Sequence, residues 1–139
     1  MKISDKARTR IKNYSKVIFC MLSWILLLCI FIQIYYAGRA QFYGDNWGNH
    51  LMFINIFEFI PAFMYIFGSA GFVPQKYKAW SMMLFILVNL QYYSTYGWMV
   101  YFHAAFAIVI LVISIYVAWG SVQILFKREK KTNQKKLAV

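Results

Sequence analysis

The sequence predicts an all-α integral membrane protein, a four-helix up-and-down bundle with both termini cytoplasmic. Three observations predict it. The 139 residues are 62% hydrophobic, 21% aromatic and only 14% charged, more apolar surface than a soluble domain of this size can bury. Four apolar segments reach the roughly 20 residues needed to cross a bilayer. The cationic residues that flank those segments fall almost entirely on one side.

The N-terminal segment 1–16 is basic, and the apolar run after it is too long for a cleavable signal peptide. Span one is therefore expected to be retained, over about residues 17–37, with Gly38 closing it. Span two covers about 48–69, with Gly68, Gly71 and Pro74 marking its exit. Spans three and four, about 80–98 and 101–126, are joined by an uncharged stretch. Read as one helix they would extend about 70 Å, more than twice the ~30 Å hydrocarbon core, so the chain must fold back, and Gly97 is the expected turn. A basic cytoplasmic tail, 127–139, follows span four.

The net charge of +11 is distributed as a membrane protein distributes it, not as a nucleic-acid-binding stripe. Lys2, Lys6, Arg8, Arg10, Lys12 and Lys16 precede span one. Lys76 and Lys78 separate spans two and three. Lys127, Arg128, Lys130, Lys131, Lys135 and Lys136 follow span four. Only Arg39 lies on the opposite side, which predicts an N-in, C-in orientation in the cell membrane. Aromatics are expected to belt both boundaries: Tyr35, Tyr36, Tyr43, Trp47, Tyr96, Trp98 and Tyr101 outside, with Tyr77, Trp80 and Trp119 inside. The basic segments are expected to rest on anionic lipid head groups, at about 1 kcal/mol per residue.

Cys20 and Cys29 are the only cysteines. Nine helical residues place them on opposite faces of span one, so they cannot pair.

Polar residues inside hydrocarbon are costly, so their positions carry the functional information. The only histidines, His50 and His103, open spans two and four and should lie at similar depth near the outer face. Diagonal helices of a four-helix bundle are roughly 12–14 Å apart, a separation that suits a haem with one axial imidazole from each side better than a small zinc or copper ion. Arg39 is the expected partner for a haem propionate. A polar layer of Gln33, Asn55, Asn89 and Gln91 lies in the outer half. Glu58 sits about 16 Å below Trp47, and no Lys or Arg within a span pairs with it, so hydrogen bonding must satisfy it. Pro61 should kink span two beside it. Proton relay or contact with a quinone head group is one reading of Glu58; a single interhelical hydrogen bond is the other.

These residues resemble an uncharacterised family of small bacterial four-span membrane proteins. The resemblance rests on Gln33…Ala37-Gly38…Phe42…Trp47-x-x-His50, then Leu90-Gln91, then His103-x-x-x-Ala107. It implies a histidine opening span two and another opening span four, and it implies no activity. The chain departs from the pattern at Ala104, where proline is usual, and at Arg39, where an apolar residue is usual.

No hydrolytic set is evident: Asp45 and Glu58 lie at different depths, and no phosphate-binding glycine loop is present. One midplane carboxyl and no clear internal repeat also argue against a transporter. Two readings remain. One is a b-type haemoprotein holding one haem near the outer face for electron transfer or redox sensing. The other is a non-catalytic membrane subunit or interaction protein, without cofactor, that meets a membrane partner or a second copy of itself.

Overall fold

The computed structural model describes residues 5–95 and 97–137, with side chains described through Phe126. Among them every regular element is helical. Helix α1 runs Asp5–Tyr43, α2 Gly48–Phe57, α3 Ile60–Ala70, α4 Gln75–Tyr93 and α5 Val100–Leu137, the last preceded by a 3₁₀ turn at Gly97–Met99. Tyr96 and the side chains of the basic tail, Lys127 onward, lie outside the described residues.

Helices α2 and α3 form one rod broken at Glu58 and Phe59. Pro61 sits in the first turn of α3 and has no N–H to donate to the Phe57 carbonyl, which places the break where the sequence expects a kink. Four rods therefore pack in a ring, with α1 on α2–α3, α3 on α4, α4 on α5 and α5 back on α1. The α2–α3 rod and α5 occupy diagonal corners.

Three of the four rods are long and apolar enough to cross a membrane: α1, the Gly48–Ala70 rod, and Gly97–Phe126. Helix α4 has the length, about 28 Å, but Lys76, Lys78, Asn89 and Gln91 lower its hydropathy. Its bounds also differ from the expected span: it starts five residues earlier and ends at Tyr93. Span one differs more. Gly38 does not close it; α1 continues for another turn to Tyr43, because a lone glycine only weakens a helix and nothing here demands a turn. Gly97 does adopt the left-handed φ of +60° expected of the reversal.

In lipid, which is as apolar as the core, burial alone would not hold such a bundle together; close approach and interhelical hydrogen bonds would. Leu26, Met64, Leu84 and Val117, one from each rod, are fully buried. Four buried serines, Ser23, Ser81, Ser114 and Ser121, thin the interface. Ser23 Oγ and Ser121 Oγ meet at 2.9 Å across α1 and α5, and Ser121 Oγ also donates to Cys20 Sγ at 3.3 Å. Both cysteines are free. Gly68 and Gly120 admit Phe19 and Tyr77 against their backbones. Tyr77 is thus a buried packing residue, whereas Trp80 and Trp119 are exposed.

Candidate functional site

The histidines meet. His50 at the first turn of α2 and His103 at the first turn of α5 point inward from diagonal corners, and their ring centroids are 6.4 Å apart with a 58° interplanar angle. The 12–14 Å expected for this pair is an axis separation; two inward-pointing imidazoles close about half of it. The rings are therefore far closer than the axis spacing of the sequence expectation suggests.

Each histidine is clamped by a glutamine on the helix before it. Gln33 Nε2 donates to the His50 backbone carbonyl at 2.9 Å, and His50 Nδ1 lies 3.3 Å from the Gln33 carbonyl. In the second hairpin, the Gln91 amide nitrogen donates to the His103 carbonyl at 3.3 Å and lies 3.0 Å from both Ser94 Oγ and His103 Nδ1, while its oxygen accepts from Ala107 N–H at 3.0 Å. Ser94 Oγ donates to the Gln91 carbonyl at 2.8 Å and stands 2.8 Å from His103 Nδ1. A histidine whose Nδ1–H is held by a carbonyl or hydroxyl presents Nε2 as a free lone pair, the usual state of a ligating imidazole. Gln33→Leu and Gln91→Leu should each release one ring. The expected outcome is a roughly 10–100-fold weaker affinity for whatever the imidazoles bind, measured by titration, with the helical content unchanged by circular dichroism.

Below the rings is a cavity of about 340 Å³. All four rods line it: Ile30 and Gln33 from α1, Ile54 and Phe57 from α2, Val88 and Gln91 from α4, and Ile110 from α5, with both histidines at its polar end. It opens sideways between α1 and α5, where the lining residues Ile34, Ala104 and Ile108 are exposed. Gln33 Oε1 is buried against this cavity without a hydrogen-bond partner. A mostly apolar chamber with a few convergent polar groups is the usual form of a small-molecule or cofactor site.

The other sequence candidates divide. Gln33 and Gln91 join the histidines. Asn55 and Glu58 do not; they form a separate cluster with Tyr92 on the α2–α4 side, where the Tyr92 hydroxyl bonds Asn55 Oδ1 and, at 3.0 Å, Glu58 Oε2. Asn89 Nδ2 is satisfied within its own helix by the Phe85 carbonyl at 2.8 Å. Arg39 is outside the cavity. It pairs with Asp45 at 2.7 Å and lies over the Tyr43 ring, and the Asp45 carboxylate pushes its guanidinium pKa up further. Among the described residues no group of three or more His, Cys, Asp or Glu side chains converges as a metal site. Sequence reasoning missed Tyr92 and Ser94. Ser94 had one signal, its position three residues after Gln91 at the helix end, where a hydroxyl can turn back onto the last carbonyls.

Residues 33–97 match a family of unknown function, DUF6220. The DUF6220-like segment contains Gln33, His50, the Asn55–Glu58 pair and Gln91, and ends at the Gly97 turn just before His103. It agrees with the resemblance to an uncharacterised family and carries no activity. No curated protein and no solved structure is detectably similar to the chain.

Proposed function

We propose that this is a membrane b-type haemoprotein, inserted with both termini cytoplasmic, that binds one haem between His50 and His103 near the outer face. The spacing of the imidazole rings carries the reading. With metal–nitrogen bonds of about 2.0 Å, two imidazoles on opposite sides of one metal have centroids about 6.3 Å apart, whereas tetrahedral ligation draws them to about 5 Å. The 6.4 Å centroid separation is close to the spacing a trans pair would have. A trans pair leaves the four equatorial positions to other ligands, and the apolar walls supply none, which fits a macrocycle that brings its own four nitrogens. The Nδ1 of His50, which can only donate to the Gln33 carbonyl, fits the same role.

When bound, haem supplies a one-electron couple at its iron. The chain's residues would do the remainder. His50 and His103 would hold both axial positions, so the site favours electron transfer or redox sensing over oxygen chemistry. Gln33, Gln91 and Ser94 would aim the rings, and the aliphatic lining would exclude water. The cation nearest the outer rim, Arg39, would have to leave Asp45 before it could neutralise a propionate.

Purification after expression with haem supplied tests this. The expected result is a Soret band in the visible spectrum of the detergent-solubilised protein. A colourless protein would contradict the proposal and favour the cofactor-free membrane subunit.

A further inference from the structure

The two helical hairpins share a spacing of polar and buried residues. A shift of 58 positions carries Gln33 onto Gln91 and with it the motif Ser23-x₂-Leu26-x₆-Gln33-x-Tyr35 onto Ser81-x₂-Leu84-x₆-Gln91-x-Tyr93. A shift of 53 carries His50 onto His103 and His50-x₂-Phe53-x₆-Ile60 onto His103-x₂-Phe106-x₆-Ile113. Burial follows the same shifts: Phe19 pairs with Tyr77, Leu26 with Leu84, Phe57 with Ile110 and Met64 with Val117, all buried. The two glutamine–histidine clamps are equivalent under this relation, which maps α1 onto α4 and the α2–α3 rod onto α5. The histidine cavity therefore lies between the two related hairpins, lined by residues of both.

Among the many departures from this relation, one gathers three polar residues on a single seam. The positions equivalent to Asn55, Glu58 and Tyr92 are Ile108, Leu111 and Ile34, and these three line the apolar mouth of the cavity between α1 and α5. The matching seam between α2 and α4 is polar instead. The fold does not require that polarity, because the related hairpin packs with aliphatic residues there.

Aromatic groups collect on this seam as well. Phe59 and Phe85 meet across it with centroids 6.3 Å apart, where the equivalent positions are Val112 and Leu27. Asn55 is exposed, and Glu58 and Tyr92 are half-buried. Glu58 uses one carboxyl oxygen on Tyr92, and among the described residues none hydrogen-bonds the other. In a bilayer an unsatisfied acceptor would be costly, and a donor dissolved in the lipid would satisfy it.

We propose that Asn55, Glu58 and Tyr92, with Phe59 and Phe85 beside them, form a lateral binding site for the ring hydroxyl of a lipid-soluble hydroquinone. The carboxyl and amide take the hydroxyl, and the two phenylalanines take the ring face or edge. The site is open to the bilayer and separated from the histidine cavity by the wall that carries Gln91, next to Tyr92 in the chain. It does not depend on what fills that cavity.

The test titrates the full-length protein in phosphatidylcholine nanodiscs with decylubiquinol under anaerobic conditions, with empty nanodiscs as reference. Wild type should bind saturably. Replacing the three residues by their counterparts in the other hairpin, Asn55→Ile, Glu58→Leu and Tyr92→Ile together, should weaken binding about tenfold or more. Glu58→Leu alone should weaken it in the same direction, and this single change serves if the triple variant does not fold. Absence of saturable binding to wild type would overturn the site. Unchanged affinity in Glu58→Leu would also overturn it. So would binding that His50→Ala/His103→Ala abolishes and Glu58→Leu leaves intact, since the ligand would then be in the cavity. Haem content, read from the Soret band of the same samples, reports separately on the haem proposal.

Discussion

Replacing either His50 or His103 by alanine is expected to convert a six-coordinate, low-spin haem into a five-coordinate, high-spin one, with a large loss of haem affinity. The loss should exceed the ~10–100-fold that follows removal of an outer-shell partner, because an axial bond itself is removed. The two variants should resemble each other, since the related hairpins give both rings equivalent positions and similar clamps. They should also be non-additive. Once one ligand is gone the remaining ring no longer holds a trans pair, so the double variant should lose less than the two single losses combined. Titration of the apoprotein with haem, read at the Soret band, measures all three.

The largest expected effect on stability is at Gly120. A Cβ there would fall inside the van der Waals contact of Tyr77 ring atoms. Tyr77 has little room to swing away: it is buried, packs on Tyr116 with centroids 5.6 Å apart, and lies under the Lys76 ammonium. Gly120→Leu should therefore cost at least about 1–3 kcal/mol, the usual range for overpacking, and should separate α4 from α5. Gly38→Ala is the matched control. Nothing lies within 4 Å of a Cβ built at Gly38, inside α1, so the change should be neutral or stabilising by up to about 1 kcal/mol. Denaturant titration in mixed micelles would compare the two.

The number of rods and their order were legible because charge separates the first three apolar runs and the last uncharged run is too long to cross a bilayer as one helix. Pro61 and Gly97 were legible for a local reason, since one lacks a donor and the other tolerates positive φ. Gly38 misled for the converse reason: glycine permits a helix end without imposing one. Of the site, His50, His103, Gln33 and Gln91 could be found as polar residues inside hydrocarbon. Their pairing could not, because it depends on which way each helix is rotated. Axis spacing overstated the gap between the imidazoles, since it ignores side-chain reach. Tyr92 was missed because a tyrosine near a boundary reads as an interfacial aromatic, and only the neighbouring rod shows that it bridges to Asn55 and Glu58. The shared spacing of the hairpins was obscured by the two different shifts, 58 and 53, which arise from hairpin loops of unequal length. Few identities accompany it; matched burial reveals it.

Near-infrared magnetic circular dichroism of the ferric protein, prepared with haem supplied, tests the central claim most directly because it reads the identity of the axial pair. A trans pair of neutral imidazoles from His50 and His103 predicts a low-spin, bis-histidine signature that disappears in both alanine variants. A high-spin spectrum, a signature of any other axial pair, or no haem at all would contradict it.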